Sequence, residues 1–128
     1  MDVQQQQDRQ ALAHWGEDLA VEVLELAGMV VLERNWRCRA GEVDIIALEE
    51  DPDDGTVLVV CEVKTRVGRD FGDPLEAITP AKVARIRAVT TAYLAQRRVG
   101  AELIRFDAIG IVVTGDREPQ LTHLRGIA

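Results

Sequence analysis

The chain has 128 residues, 47% of them hydrophobic and 29% charged, the mixture of one ordinary globular domain rather than of a disordered or collagen-like chain. Lys+Arg number 15 against 22 Asp+Glu, a formal net charge of −7, which excludes a polycation that coats nucleic acid in bulk but not a local basic patch. No run of about 18 apolar residues could span a membrane, no apolar stretch follows the polar start to make a secretory signal, and Cys38 and Cys61 are too few for a disulfide framework or a zinc site. The expected location is a reducing cytoplasm.

Residues 1–10 read as a polar N-terminal tail, and 11–128 as a single domain. From about Asp8 to Ala27 apolar residues recur at steps of three and four (Leu12, Trp15, Leu19, Val23, Leu26), which predicts a helix with one apolar face, stopped by Gly28. Met29 to Arg37 reads as a strand, Arg39-Ala40-Gly41 as a turn, and Val43 to Leu48 and Thr56 to Arg66 as two further strands of an antiparallel meander. The acidic run Glu49 to Asp54 between them, broken by Pro52 and Gly55, reads as a solvated loop. Gly68 to Ile78 is a loop whose glycines would let the backbone approach a ligand closely, or which Phe71 and Ile78 would pin to the core. Thr79-Pro80 is a strong helix start, with Thr as N-cap and Pro at the first position. That helix runs to about Arg98, with Val83, Ile86, Thr90, Tyr93 and Leu94 inward. Leu103 to Val113 is a long apolar strand and Gln120 to Leu124 a short last edge strand. A strand–helix–strand crossover favours the third and fourth strands lying parallel. The expected fold is α/β: a mixed central sheet flanked by helices, in the order α-β-β-β-α-β-β.

Charge is unevenly spread. Residues 1–63 hold 15 acids and 4 Arg, whereas residues 64–105 hold 9 Lys+Arg and 4 acids. The second segment can supply a phosphate-binding face, although a solvated helix surface explains it equally well.

The third predicted strand, Val57-Leu58-Val59-Val60-Cys61-Glu62-Val63-Lys64, is apolar enough to be central, yet it carries Glu62 and Lys64. Alternation puts both on the face of Leu58 and Val60. Burying either charge alone costs several kcal/mol, so each needs a partner. A structural Glu–Lys pair at the strand end would satisfy that on its own. The preceding strand adds Asp44 within Val43-Asp44-Ile45-Ile46. Two adjacent carboxylates repel, and one binds a proton unless a cation joins them. Mg²⁺ resolves the conflict, because it takes one or two carboxylates, keeps several waters and completes its shell with phosphate oxygens. Lys64 would then orient a water or meet charge developing on the phosphate. The first helix offers a third carboxylate, Glu17, which either faces solvent or reaches the metal. Gly16 beside it weakens a helix by roughly 1 kcal/mol against Ala, which suggests a close approach there.

Gly16-Glu17-x-x-Ala20, Glu33-Arg34-Asn35-Trp36-Arg37, Gly41-Glu42-Val43-Asp44-Ile45-Ile46-Ala47, Glu62-Val63-Lys64-Thr65-Arg66, Phe71-Gly72-Asp73-Pro74-Leu75-Glu76-Ala77-Ile78 and Arg105-Phe106-Asp107 occur in this order. Together, over about residues 12–113, they resemble the bacterial YraN-like family. That family is assigned to the restriction-endonuclease-like PD-(D/E)xK superfamily and is similar to archaeal Holliday junction resolvases. The resemblance implies Asp44 and Glu62 as metal ligands, the backbone carbonyl of Val63 as a further ligand, Lys64 as catalytic lysine and Glu17 as the helix-borne acid. Val43 stands where the literal motif has Pro, and Cys61 where an aromatic is common; Cys61 reads as a small core residue. Thr65, Arg66 and Lys82 are the best candidates for phosphate contacts, with Arg34, Asn35 and Arg37 behind them.

The expected function is a Mg²⁺- or Mn²⁺-dependent endonuclease that hydrolyses DNA, at branched or otherwise unusual structures. The alternative is a nucleic-acid-binding or scaffold protein that keeps the fold without cutting. A carboxylate-pair glycosidase is a poorer fit, since its chemistry does not require the lysine. A homodimer is implied only by the likeness to resolvases.

Overall fold

The structure, a computed structural model, describes residues 2–68, 73–115 and 117–127. Its elements in chain order are α1 (Val3–Leu26), β1 (Val30–Cys38), β2 (Gly41–Asp51), β3 (Gly55–Val67), a 3₁₀ turn (Pro74–Ala77), α2 (Pro80–Gln96), β4 (Leu103–Val113) and β5 (Gln120–Arg125). The five strands form one sheet in the order β1-β2-β3-β4-β5. The β3–β4 pair is parallel and the other pairs are antiparallel. This is the expected mixed α/β sheet with a helix on each face, and α2 makes the crossover between the parallel strands.

Helix α1 begins at Val3 rather than near Asp8, because Asp2 caps it. The Asp2 side chain accepts from Gln5 N–H at 2.8 Å, and Gln5 reaches back to the Asp2 N–H, a reciprocal capping box. The polar start is thus an exposed helical stem. Its inward face also differs from the predicted one. Gly16, Ala20 and Leu24 are buried, while Trp15 and Leu26 are exposed. Small residues four apart let the helix axis approach the sheet, which the bulky stripe would prevent. At Gly16 an added Cβ would overlap Thr65 Oγ1 and lie 3.2 Å from Thr65 Cβ.

Two apolar layers result. Ala20 and Leu24 pack on Ile45, Ala47, Val59, Cys61, Ile109 and Ile111. On the other face Ile86, Val89 and Tyr93 of α2 pack on Val43, Ile46, Leu58, Val60 and Phe106. Thr79 caps α2 as expected, accepting from Lys82 N–H at 3.3 Å. Phe71 and Gly72 lie outside the described residues.

The acidic run is not one solvated loop. Glu49 to Asp51 extend β2, and Glu49 is buried. It accepts from Arg105 at 2.7 Å and from Arg125 at 2.6 and 2.8 Å. Asp107, fully buried in β4, accepts from Arg105, from the Gly126 N–H and pairs with His123 Nε2 at 2.8 Å. The carboxylates are tolerated inside because each is paired and hydrogen-bonded.

Candidate functional site

The site forms where β2 and β3 splay. Their ladder pairs Asp51↔Gly55 through Ile45↔Cys61. Beyond that point the Asp44 side chain takes over, its Oδ2 accepting from the Val63 N–H at 2.8 Å. Val43 belongs to the α2-side core and Ile45 to the α1-side core, so β2 twists at Asp44. Strict alternation would put Val43 and Ile45 on one face; the twist lets Asp44 address both helices.

Asn35 sits opposite this twist. The register Arg34↔Ile45 and Trp36↔Val43 brackets it against Asp44. It has φ 51°, the one non-glycine in left-handed backbone among the described residues, a conformation Asn tolerates better than most residues. Trp36 then turns into the α2-side core, edge-on to Tyr93 at 5.1 Å, while the Asn35 side chain lies near Glu17 and acts to lower its pKa.

Asp44 and Glu62 are brought together. Burial pushes the Glu62 carboxyl up to about 9, and the charge of Asp44 and a hydrogen bond shared with it act in the same direction, against Arg85 and Lys82. Glu17 is also raised, first by burial and then by Asp44, with Arg34 and Asn35 opposing. Glu17 Oε1 and Glu62 Oε1 are buried without a hydrogen-bond partner. Lys64 is shifted down, first by burial and then by Arg66 and Lys82; Asp44 opposes this and Arg9 adds to it. Acids from three elements and the lysine of β3 therefore share one rim of the sheet.

Among the described residues no three His, Cys, Asp or Glu side chains already form a cage for a metal ion. The donor set nonetheless suits a hard divalent cation. It offers carboxylate oxygens only, two of them buried without donors, and Mg²⁺ needs one or two carboxylates before water and phosphate fill its shell.

The other predicted residues fall into two groups. Thr65 and Arg66 follow Lys64 along β3 and, with Val63, line a groove of about 470 Å³ that Glu17 and Asp44 also border. Lys82, in the first turn of α2, lies near Glu62 and Lys64. Arg37 lies apart from these, engaged with Glu42 at 3.1 Å, whereas Arg34 is engaged with Asp18 at 2.7 Å and also acts on Glu17. His14 is exposed beside Asp18, and Cys61 is buried in the core.

Three neighbours of the site have placements that the sequence does not announce. Arg85, three residues after Lys82 and so on the same helix face, packs against Gly41 and acts on Glu62. Asn35 is anticipated only as a phosphate contact, and its place near Glu17 has no sequence signal. Arg9, assigned to the tail, lines the groove; its spacing of eight from Glu17 was the available clue.

A larger cavity of about 640 Å³ lies elsewhere, between the start of α2 and β5, lined by Ile78, Pro80, Val83 and Leu124 and by none of these acids. Among the described residues no helix is long and apolar enough to cross a membrane.

Residues 16–111 match the model of the uncharacterised protein family UPF0102. A UPF0102 protein of Acidothermus cellulolyticus is 43% identical, covering 92% of this chain and 93% of its own. One from a Nocardioides species is 47% identical, covering 93% and 92%. One from Mycolicibacterium smegmatis is 48% identical, covering 93% and 94%. The family match takes in Glu17, Asp44, Glu62 and Lys64, and the chain belongs to the uncharacterised protein family UPF0102.

Proposed function

We propose that the chain is a Mg²⁺- or Mn²⁺-dependent endonuclease that hydrolyses phosphodiester bonds of DNA, at branched or otherwise unusual structures. The observation that carries this is the contact between the Asp44 and Glu62 carboxyls. Burial, with the charge of Asp44 behind it, raises Glu62 to a pKa of about 9, and Lys64 lies beside Asp44. A stabilising scaffold would gain nothing from two half-buried carboxyls in contact.

Asp44, Glu62 and Glu17 would hold the ion, with the backbone carbonyl of Val63. When bound, it supplies Lewis-acid stabilisation of negative charge at the scissile phosphate. Asp44 is held in place by the Val63 N–H, so its carboxylate is oriented before substrate arrives. Water attacks phosphorus in line, and the leaving oxygen departs opposite. Lys64 is half-buried and carries no ion pair among the described residues; it orients the water or meets the developing charge. Thr65, Arg66 and Lys82 take the flanking phosphates and place the strand without reading bases. Arg34 and Arg37 reach DNA only by exchanging Asp18 and Glu42 for phosphate.

The competing reading, a binding module that does not cut, is favoured by the lack of a ready three-ligand cage among the described residues. A cleavage panel decides. Linear, nicked, flapped and four-way DNA, with RNA beside them, are incubated with Mg²⁺, Mn²⁺ or EDTA. The wild type cuts at least one DNA with metal and none in EDTA, Asp44→Ala cuts none, and Lys64→Ala is slower by about 10²–10⁴-fold. Metal-independent binding with no cleavage of any substrate overturns the nuclease.

A further inference from the structure

The groove between α1 and β3 asks for more than a backbone phosphate. Its walls are Leu12 and Ala13 on the helix and Val67 at the strand end, with Arg9, Thr65 and Arg66 as its polar members. Arg66 Nε is buried and has no hydrogen-bond partner, while the Thr65 hydroxyl, also unpartnered, is taken up against Gly16. Arg9 and Arg66 form no ion pair among the described residues. Glu17 and Asp44 border the same space, so negative charge is repelled from its inner side.

A ligand that fits has a flat apolar body, polar edges that accept hydrogen bonds, no charge on the buried part, and an anionic group held outside by cations. A nucleobase with its phosphate answers that description. The volume of about 470 Å³ lies within the roughly 300–1,000 Å³ of sites that enclose a small molecule. In a blunt duplex every base is stacked and paired, so none can enter without being extruded, which costs a few kcal/mol. An unpaired base enters freely.

We propose that this groove takes an unpaired nucleotide of the bound DNA strand, next to the phosphate that is cut. The protein therefore prefers single-stranded ends, gaps and flaps to continuous duplex. Leu12, Ala13 and Val67 cover the faces of the base. Arg66 Nε donates to its edge or its phosphate, and Arg9 holds the phosphate at the rim. The proposal rests on the nuclease reading for the position of the scissile phosphate, but its test does not depend on cleavage.

Binding is measured by fluorescence anisotropy in EDTA, with a labelled blunt duplex and the same duplex carrying a short single-stranded overhang. The wild type binds the overhang about tenfold or more tightly, because the blunt duplex must first extrude a base. Ala13→Phe, on an exposed helix position, fills the groove and brings the overhang down to the blunt duplex's affinity. Arg9→Ala lowers the preference several-fold, and circular dichroism confirms that both variants are folded. Should Ala13→Phe fail to fold, Arg9→Ala decides. Equal affinity for both DNAs in the wild type overturns the proposal, as does a preference that survives both variants. An overhang preference in EDTA with no cleavage of any substrate in Mg²⁺ or Mn²⁺ overturns the nuclease and leaves the nucleotide pocket standing.

Discussion

Gly16 of α1 lies directly over Thr65 of β3, with the place of a Cβ already taken by the threonine side chain. The contact puts the next residue, Glu17, beside Asp44. Gly16→Ala should raise helix propensity by about 1 kcal/mol and still lower stability, because overpacking of a tight contact costs about 1–3 kcal/mol. Urea denaturation checks the sign. Thr65→Ala in the Gly16→Ala background should restore most of the loss; if it restores none, the two residues are not the source of the strain.

Asn35 ties backbone conformation to the same acid. Asn35→Gly accepts φ 51° and should keep the fold, whereas Asn35→Val should lose about 1–3 kcal/mol to left-handed strain. Both remove the amide that lies near Glu17, a support whose loss at a metal site typically lowers affinity about 10–100-fold. Isothermal titration with Mn²⁺ measures this. Full Mn²⁺ affinity in Asn35→Gly would remove Asn35 from the site.

Metal binding should appear as stability. An ion that binds only the native state adds about 2.7 kcal/mol at a hundredfold excess over its dissociation constant. Thermal melts with and without Mg²⁺ should separate for the wild type and coincide for Asp44→Ala and Glu62→Ala. A Mg²⁺ shift that persists in both variants places the ion elsewhere.

Asp107 controls behaviour in acid. Burial acts to raise its carboxyl, but hydrogen bonds from Arg105, His123 and the Gly126 N–H outweigh that and hold it below the ordinary 3.8. A carboxyl depressed on folding contributes stability that is present above the unfolded value and lost as pH falls through the lower folded one. Asp107→Asn should cost about 3–5 kcal/mol at pH 7, since it strands buried charges. The gap to wild type should narrow below about pH 3.8. Urea titrations at both ends of that range test it, and a gap independent of pH would refute the assignment.

DNA binding should weaken steeply from low to physiological salt, with Arg66→Ala lowering the salt slope by about one. Filter binding across a salt series measures both. A flat profile would count against the basic rim.

Element types and strand order were legible because local signals agreed: Thr79-Pro80 for α2, alternation and turn residues for the meander, the crossover for the parallel pair. The buried face of α1 was not legible from the stripe Leu12-Trp15-Leu19-Val23-Leu26. The helix packs through Gly16 and Ala20, and a hydrophobic pattern gives small residues little weight although they decide how close two elements come. Glu49 was misread for a similar reason. Its acidic neighbours suggest solvent, while its partners Arg105 and Arg125 lie far along the chain. Asp44, Glu62 and Lys64 stood out as charges within apolar strands. Arg85 and Asn35 did not, because their roles come from a helix docking and a backbone twist that no nearby residue announces.

The crossover helix α2 has a consequence for synthesis. Glu17, Asp44 and Glu62 all leave the ribosome before Lys82 and Arg85, the cations that oppose the raised pKa of Glu62. A nascent chain that has formed only α1 and the meander holds its acids together without that counterweight. Docking of α2 eases this interval of self-repulsion, so an element synthesised after the acids supplies charge that offsets them.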